Sequence, residues 1–128
     1  MTTVLDSSAV MAVIQNEPGS ARVEETLPGA LLSAVNFAEV ISKLTDRGMD
    51  GKVAEAAIQS LGIEVIDFSA NQARVTGELR PLTRDAGLSL GVRACIALGV
   101  ESAATILTTD QAWRRVASSI SASIETIR

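Results

Sequence analysis

The chain has 128 residues, of which 47% are hydrophobic and 20% charged, and its formal net charge is −4 at pH 7. This length and composition indicate one globular domain over residues 1–128 with a substantial hydrophobic core, and they exclude a disordered chain. The negative net charge argues against a general binder of polyanions. A nucleic-acid substrate would therefore need a local arginine patch or bridging cations.

Several residue types are missing or rare. The sequence contains no histidine, which excludes histidine-based catalytic triads and histidine metal sites. Its single cysteine, Cys95, allows no internal disulfide and no cysteine zinc cluster, so a cytoplasmic location is expected. Cys95 lies in an apolar helical run and is interpreted as a small buried hydrophobe. No signal-peptide pattern and no apolar run of membrane-spanning length is present, so no membrane partner is expected.

Strands alternate with helices along the chain. The hydrophobic pattern predicts strands at residues 3–5, 30–34, 63–68, 104–107 and 124–127, the third near a sheet edge. Helices are predicted over residues 8–14, 20–27, 36–46, 50–61, 69–84 and 89–99 and around Trp113, with Pro81 expected to kink or end the fifth. This alternation predicts an α/β fold, with a mostly parallel four- to five-stranded sheet sandwiched between helices.

Two acidic residues follow strands of this predicted sheet. Asp6 comes directly after the first strand, and Asp110 follows the fourth. Because the carboxyl ends of parallel strands meet at one edge, the pair supports a metal-site hypothesis. The alternative is that each residue only caps the helix that it precedes.

Glu39 lies one turn into the helix that follows the second strand. Its spacing from Lys43 favours an ordinary i, i+4 ion pair on a solvated face. The functional alternative is that the start of the helix points Glu39 at the same edge as Asp6. Spacing alone favours the ion pair.

Four segments together resemble the motifs of the PIN domain, most closely the VapC-type toxins of bacterial toxin–antitoxin pairs. They are LDSSA with Asp6, SAVNFAEV with Glu39, GLSLGVRACIAL, and LTTDQAW with Asp110. The resemblance implies a compact α/β ribonuclease that holds Mg²⁺ or Mn²⁺ with clustered carboxylates and cuts RNA. It also implies a cognate antitoxin, and proteins of this family often form homodimers. Because unneutralised carboxylates favour a positive charge, the antitoxin is expected to lie over this site or a neighbouring groove.

Carried over by position, the resemblance assigns metal binding and catalysis to Asp6, Glu39 and Asp110, which should converge on one pocket. It places Ser7 and Thr108 where hydroxyl groups help to position metal-bound water or phosphate. In the absence of histidine, a metal would lower the pKa of the attacking water and shield the charge of the phosphodiester.

One position departs from the family pattern. The family has an aspartate directly after the glycine of its LSLG-type motif, and Val92 stands there in this sequence. Ser89 is a good N-cap, and Val92 falls at the third helical position, where an acid would complete a capping box. The alternative is that Val92 packs on one face with Cys95 and Ile96. Asp85 could replace the missing acid only if its loop folds back, which is not expected.

The departure implies a weak or inactive ribonuclease. A second function is therefore open, in which the PIN fold is retained only for binding and acts in regulation through an antitoxin complex. A phospho-acceptor receiver domain is discounted, because it needs an acidic pair after the first strand and a late lysine. Only Asp6 stands at the first position, and no lysine follows Lys52.

Three arginines border the proposed site and are candidates for contacts with the phosphates of the substrate, namely Arg80, Arg84 and Arg93. For Arg80 and Arg84 the solvated face of a helix is an equally good interpretation. Arg93 lies in the first turn of its helix, where a cation is poorly placed against the helix dipole and an external anion would explain it.

Overall fold

The computed structural model describes residues 2–128. Its sheet has five strands in the order β3-β2-β1-β4-β5, and every neighbouring pair is parallel. The strands are β1 (Thr3–Leu5), β2 (Leu31–Ser33), β3 (Glu64–Ile66), β4 (Thr105–Thr108) and β5 (Ser123–Thr126). The parallel α/β architecture is confirmed, and β3 lies at an edge as its alternating pattern predicts.

Helices connect the strands and cover both faces of the sheet. They are α1 (Ser7–Ile14), α2 (Ser20–Glu24), α3 (Ala34–Asp46), α4 (Gly51–Gln59), α5 (Ala70–Glu78), α6 (Arg80–Thr83) and α7 (Leu90–Glu101). A 3₁₀ helix (Gln111–Arg115) lies between β4 and β5. None of the helices between residues 2 and 128 is long and apolar enough to cross a membrane.

Most helix boundaries lie within one to three residues of the predictions, and in two places a helix differs in its division or type. The helix predicted over residues 69–84 is divided into α5 and α6, and Pro81 lies in the first turn of α6. Proline fits there because its missing N–H group has no helical partner in a first turn. The helix predicted around Trp113 is a single 3₁₀ segment, and the side chain of Trp113 within it is buried.

Alternate residues of the central strands pack on opposite faces of the sheet. On one face Leu5 and Leu32 pack with α1, α2, α3 and α4. On the other face Val4 and Ile106 pack with α7 and the 3₁₀ helix. This is the period-two alternation of a strand that is covered on both sides. The helix α7 is buried along most of its length, as its nearly continuous apolar pattern predicts.

The strand register fixes the position of the candidate site. In the pairing of β1 with β4, Leu5 lies opposite Leu107. The N–H group of Asp6 donates to the carbonyl of Leu107 over 3.2 Å. Asp6 and Thr108 therefore leave the sheet side by side at its carboxyl edge, where open α/β sheets bind ligands.

Candidate active site at the carboxyl edge of the sheet

Asp6 is buried, with 5% of its surface exposed, and its carboxylate accepts three hydrogen bonds. Its Oδ1 accepts from the N–H group of Ala9 over 2.8 Å and from the hydroxyl of Ser8 over 2.7 Å. Its Oδ2 accepts from the hydroxyl of Thr108 over 2.6 Å. Asp6 therefore caps α1, as the capping interpretation holds, and it is also fixed from across the sheet by β4.

The environment of Asp6 opposes its negative charge. Burial raises the pKa of Asp6, while the hydrogen bonds from Ser8, Thr108 and Ala9 and the positive charge of Lys43 act in the opposite direction and lower it. Desolvation is the largest of these effects. A buried carboxylate loses its stabilisation by water, and three hydrogen-bond donors replace only part of it. An ionised Asp6 would therefore be stabilised by a cation brought close to it.

Glu39 does not pair with Lys43. No ion pair joins the two side chains within residues 2–128. Instead, Oε1 of Glu39 accepts from the side-chain amide of Asn36 over 2.8 Å. The carboxylate packs against Gly91, where an added Cβ would lie 2.6 Å from Cδ of Glu39. The i, i+4 alternative is therefore wrong, and Glu39 faces the start of α7.

Asn36 is a site residue that the sequence analysis missed. It is almost fully buried, and its Nδ2 donates to the carbonyl of Gly91 over 3.0 Å as well as to Glu39. Its Oδ1 is buried without a hydrogen-bond partner. An amide three residues before Glu39 carries no periodic signal, so only the approach of α7 to α3 reveals its role.

The Cys95 thiol lies close to both Asp6 and Glu39. Burial raises its pKa well above the ordinary value, and the charges of Asp6 and Glu39 raise it further. A fully buried thiol with a raised pKa is inert, so Cys95 is the small hydrophobe that the sequence predicts. The carboxylate of Asp6, at the N-cap of α1, and that of Glu39, on α3, therefore lie near the same thiol.

Asp110 is connected to Asp6 through Thr108. The N–H group of Asp110 donates to Oγ1 of Thr108 over 3.0 Å, and the same hydroxyl donates to Asp6. The Asp110 side chain is exposed, and its Oδ1 accepts from the N–H group of Ala112 over 2.9 Å. Asp110 therefore caps the 3₁₀ helix, so the capping interpretation holds for this acid too.

Val92 occupies the third helical position of α7. Ser89 is the N-cap, and its hydroxyl accepts from the N–H group of Val92 over 3.2 Å. The side chain of Val92 is half-buried and packs against the core cluster that contains Cys95 and Ile96. The packing alternative for Val92 is thus confirmed, and the position contributes no oxygen to the edge.

These residues form only part of a carboxylate centre for a divalent ion. Among residues 2–128, no group of three or more histidine, cysteine, aspartate or glutamate side chains is placed to hold a metal ion. Asp6 and Glu39 offer the hard oxygen atoms that Mg²⁺ prefers. Asp110 is turned to its own helix cap, and Val92 offers no donor atom.

The remaining candidate residues lie around this edge with different partners. Ser7 is half-buried at the first position of α1 and makes no side-chain hydrogen bond within residues 2–128, whereas its neighbour Ser8 contacts Asp6. Arg93 donates from Nη1 to the carbonyl of Thr76 over 3.1 Å, which ties α7 to α5. The sequence analysis named Ser7 for this role, whereas in the structure the hydroxyl of Ser8 contacts Asp6.

Arg80 and Arg84 are exposed and form no ion pair in the described part of the chain. Asp85 is also exposed and lines a separate cavity with Leu82 and Arg115. The loop therefore does not bring Asp85 back to the place of the missing acid, in agreement with the expectation.

Comparisons with known proteins agree with this geometry. The PIN domain family model matches residues 3–119. A VapC ribonuclease of Mycobacterium bovis and the ribonuclease VapC42 of Mycobacterium tuberculosis are each 31% identical to the chain over 101 residues, which are 75% of this chain and 75% of each relative.

Solved structures share the fold at low sequence identity. A DNA-bound VapBC from Salmonella typhimurium has a TM-score of 0.77 at 16% identity and covers 100% of this chain and 99% of its own. A DNA-bound VapBC2 from Rickettsia felis has a TM-score of 0.70 at 20% identity and covers 100% of both chains. With a family model that spans nearly the whole sheet and with relatives of this identity, the chain belongs to the PIN domain family.

Proposed function

We propose that the chain is a VapC-type toxin, an endoribonuclease scaffold that cleaves RNA phosphodiesters and that Val92 attenuates. The observation that carries the proposal is the 31% identity to two VapC ribonucleases over three quarters of each chain. The acids at the carboxyl edge give that resemblance a chemical basis. The absence of a membrane-spanning helix in residues 2–128 is compatible with a cytoplasmic RNA substrate.

The residues of the edge have distinct roles in this proposal. Asp6 is held in one orientation by hydrogen bonds from Ser8 and Thr108. Because the fold fixes these two donors, the carboxylate needs no reorganisation during a reaction. Glu39 is held by Asn36 against α7. Asp110 is the acid nearest to solvent, and only its Oδ1 caps the 3₁₀ helix, so its Oδ2 is available to join them.

A divalent ion is part of the proposal. Mg²⁺ or Mn²⁺, held by Asp6, Glu39 and Asp110, would lower the pKa of a water molecule and shield the phosphodiester. The raised pKa of buried Asp6 supports a cation at this edge. Val92, which stands where the resemblance implies an acid and supplies no oxygen ligand, supports weak binding and, with it, weak cleavage.

The proposed partner is an antitoxin protein. The relatives are named VapC, and the structures with the same fold are toxin–antitoxin complexes. We propose that the antitoxin lays a helix or an extended segment over the edge and places an arginine among the acids, because buried carboxylates favour such a charge. Hydrogen exchange should then slow at Asp6 and at the start of α7 when the antitoxin binds. Protection confined to remote surfaces would contradict this mode.

A second candidate function is regulation without cleavage. Val92 favours it, because the side chain that replaces the family acid is packed into the core and provides no metal ligand. In this case the chain would act only through its antitoxin complex. The same RNA assay separates the two functions.

The test is cleavage of RNA by the purified protein with Mn²⁺ and with EDTA. Slow cleavage that requires Mn²⁺ and disappears in Asp6→Asn is expected. Asp46→Asn, which removes an exposed acid from the last turn of α3, is the matched control and should cleave like the parent. Cleavage that survives EDTA or Asp6→Asn would refute the metal-dependent site. No cleavage together with tight antitoxin binding would assign the chain to regulation.

A further inference from the structure

A cavity of about 220 Å³ lies beside Asp6 on the side of α1 and α3. Its lining includes Ser8 from α1, Thr109 after β4, and Lys43 and Arg47 from the end of α3. Ser8 connects the cavity to the site, since its hydroxyl donates to Asp6 and accepts from the N–H group of Thr109 over 3.0 Å. The cavity therefore begins at a residue that is hydrogen-bonded to the proposed catalytic acid.

The lining of the cavity carries three cations, Lys43, Arg47 and Arg128, and one acid, Glu17. Its charge is therefore positive, although the chain carries a net charge of −4. Lys43 and Arg47 are one helical turn apart, and neither forms an ion pair or a side-chain hydrogen bond within residues 2–128. A third cation, Arg128, is already held by Glu17 over 3.2 Å and by the carbonyl of Pro18 over 2.9 Å. Two cations with free donor groups thus face one cavity.

The helix dipole explains part of this arrangement. Lysine and arginine are favourable in the last turn of a helix, and Lys43 and Arg47 occupy the end of α3. The dipole does not explain why both side chains line a concave surface with Ser8 and Thr109, or why Lys43 stays free of Glu39. The positive charge of Lys43 is instead close enough to Asp6 to lower the pKa of that carboxyl.

We propose that this cavity binds a phosphate group of the RNA strand that neighbours the phosphodiester at Asp6, through Lys43 and Arg47. The inference rests on the proposed function. Arginine matches phosphate oxygens with two parallel N–H donors, and lysine adds a mobile point charge. Every nucleotide carries a phosphate, so a strand that enters the edge brings a second anion past this cavity. Arg93, whose guanidinium contacts the carbonyl of Thr76, is less free for this role.

The experiment measures binding of a single-stranded RNA that carries 2′-O-methyl groups and resists cleavage, by fluorescence anisotropy in EDTA. The variant is Lys43→Ala with Arg47→Ala. The matched control is Lys52→Ala with Arg74→Ala, which removes the same charge from exposed positions on α4 and α5. We expect about tenfold weaker binding of the cavity variant at about 0.15 M salt, and a salt slope shallower by about one. The control should stay within about twofold.

The outcomes separate the two levels of the proposal. If the parent binds RNA and the cavity variant binds equally well, or if the control loses as much affinity, the cavity is not a phosphate site and the proposed function stands. If the parent binds no RNA, the proposed function fails with it. If the cavity variant loses antitoxin binding but keeps RNA binding, the cavity belongs to the antitoxin and the inference is overturned. Lys43→Arg should retain RNA affinity because it keeps the positive charge. The melting temperature of the cavity variant shows whether that variant is folded.

Discussion

The carboxylate of Glu39 lies directly against the backbone of Gly91, although the two residues belong to different helices. A Cβ at Gly91 would come within 2.6 Å of Cδ of Glu39, and Asn36 donates to both residues. Gly91 is therefore required for space, since a side chain there would displace an acid of the site. This contact fixes the start of α7, and so Val92, next to Glu39.

Gly91→Ala tests this contact. Alanine is normally more stable than glycine in a helix by up to about 1 kcal/mol, but here the methyl group must push Glu39 aside and weaken its bond with Asn36. The free energy of unfolding should stay unchanged or fall. Gly77→Ala is the control, because its added Cβ meets no atom within 4 Å. It should gain roughly 0.5 kcal/mol in urea denaturation. An equal gain in both variants would contradict the contact.

Val92→Asp introduces an acid at the position where the resemblance to the family implies one. Metal affinity should rise by roughly 1–3 kcal/mol, or about 5- to 150-fold, because a fourth acid attracts a divalent ion. Without metal the new carboxylate meets Asp6 and Glu39 and the core near Cys95, so the fold should weaken at neutral pH. Thermal melts should show a lower melting temperature in EDTA and a larger gain from Mn²⁺ than the parent shows.

Val92→Asn is the control for this substitution, since it changes shape and polarity without adding charge. It should weaken the fold in EDTA and gain no more from Mn²⁺ than the parent does. Equal Mn²⁺ gains in Val92→Asp and the parent, together with no RNA cleavage, would show that Val92 does not occupy the place of a lost ligand.

Most of the fold could be predicted from the sequence, because hydrophobic periodicity depends on near neighbours. The alternation of strands and helices gave the parallel sheet, and the apolar pattern of residues 89–99 gave the buried helix α7. The exceptions are short elements. The turn around Trp113 is too short for its periodicity to distinguish a 3₁₀ helix from an α-helix.

The site was predictable only in part. Asp6 was found because it follows a strand. Its side-chain hydrogen-bond donors are Ser8, two residues further along the chain, and Thr108, at the end of the neighbouring strand. The orientation of Glu39 was not predictable, since it depends on Asn36 and on the approach of Gly91 from a distant part of the chain. The free cations at the end of α3 were hidden for the same reason. A local ion pair was the better interpretation of spacing alone.

Gly19→Ala should be one of the most destabilising surface substitutions. Gly19 has a φ of +96°, and an added Cβ would lie 2.6 Å from the carbonyl oxygen of Ile127. Gly29 has a φ of +81° with nothing within 4 Å, so Gly29→Ala carries only the backbone strain of about 1–2 kcal/mol. Gly19→Ala should lose roughly 1–3 kcal/mol more in urea denaturation, because a backbone carbonyl cannot move aside easily. Equal losses would mean that the C-terminal segment shifts freely.

The ion pair between Arg22 and Glu125 should make stability depend on pH, since it ties α2 to β5. The guanidinium donates to both carboxylate oxygens, over 2.7 and 3.0 Å, and this lowers the pKa of Glu125 below its ordinary 4.5. A lowered pKa means that the stabilisation is fully present above pH 4.5 and is lost as the pH falls through the lower value. Glu125→Gln should therefore melt slightly below the parent at neutral pH, by no more than an exposed pair contributes, and the difference should vanish in acid.

Glu101→Gln, whose exposed side chain has no ion pair within residues 2–128, is the control and should show no such convergence. A difference between Glu125→Gln and the parent that stays constant from neutral pH to below the pKa of Glu125 would exclude the pair as its cause.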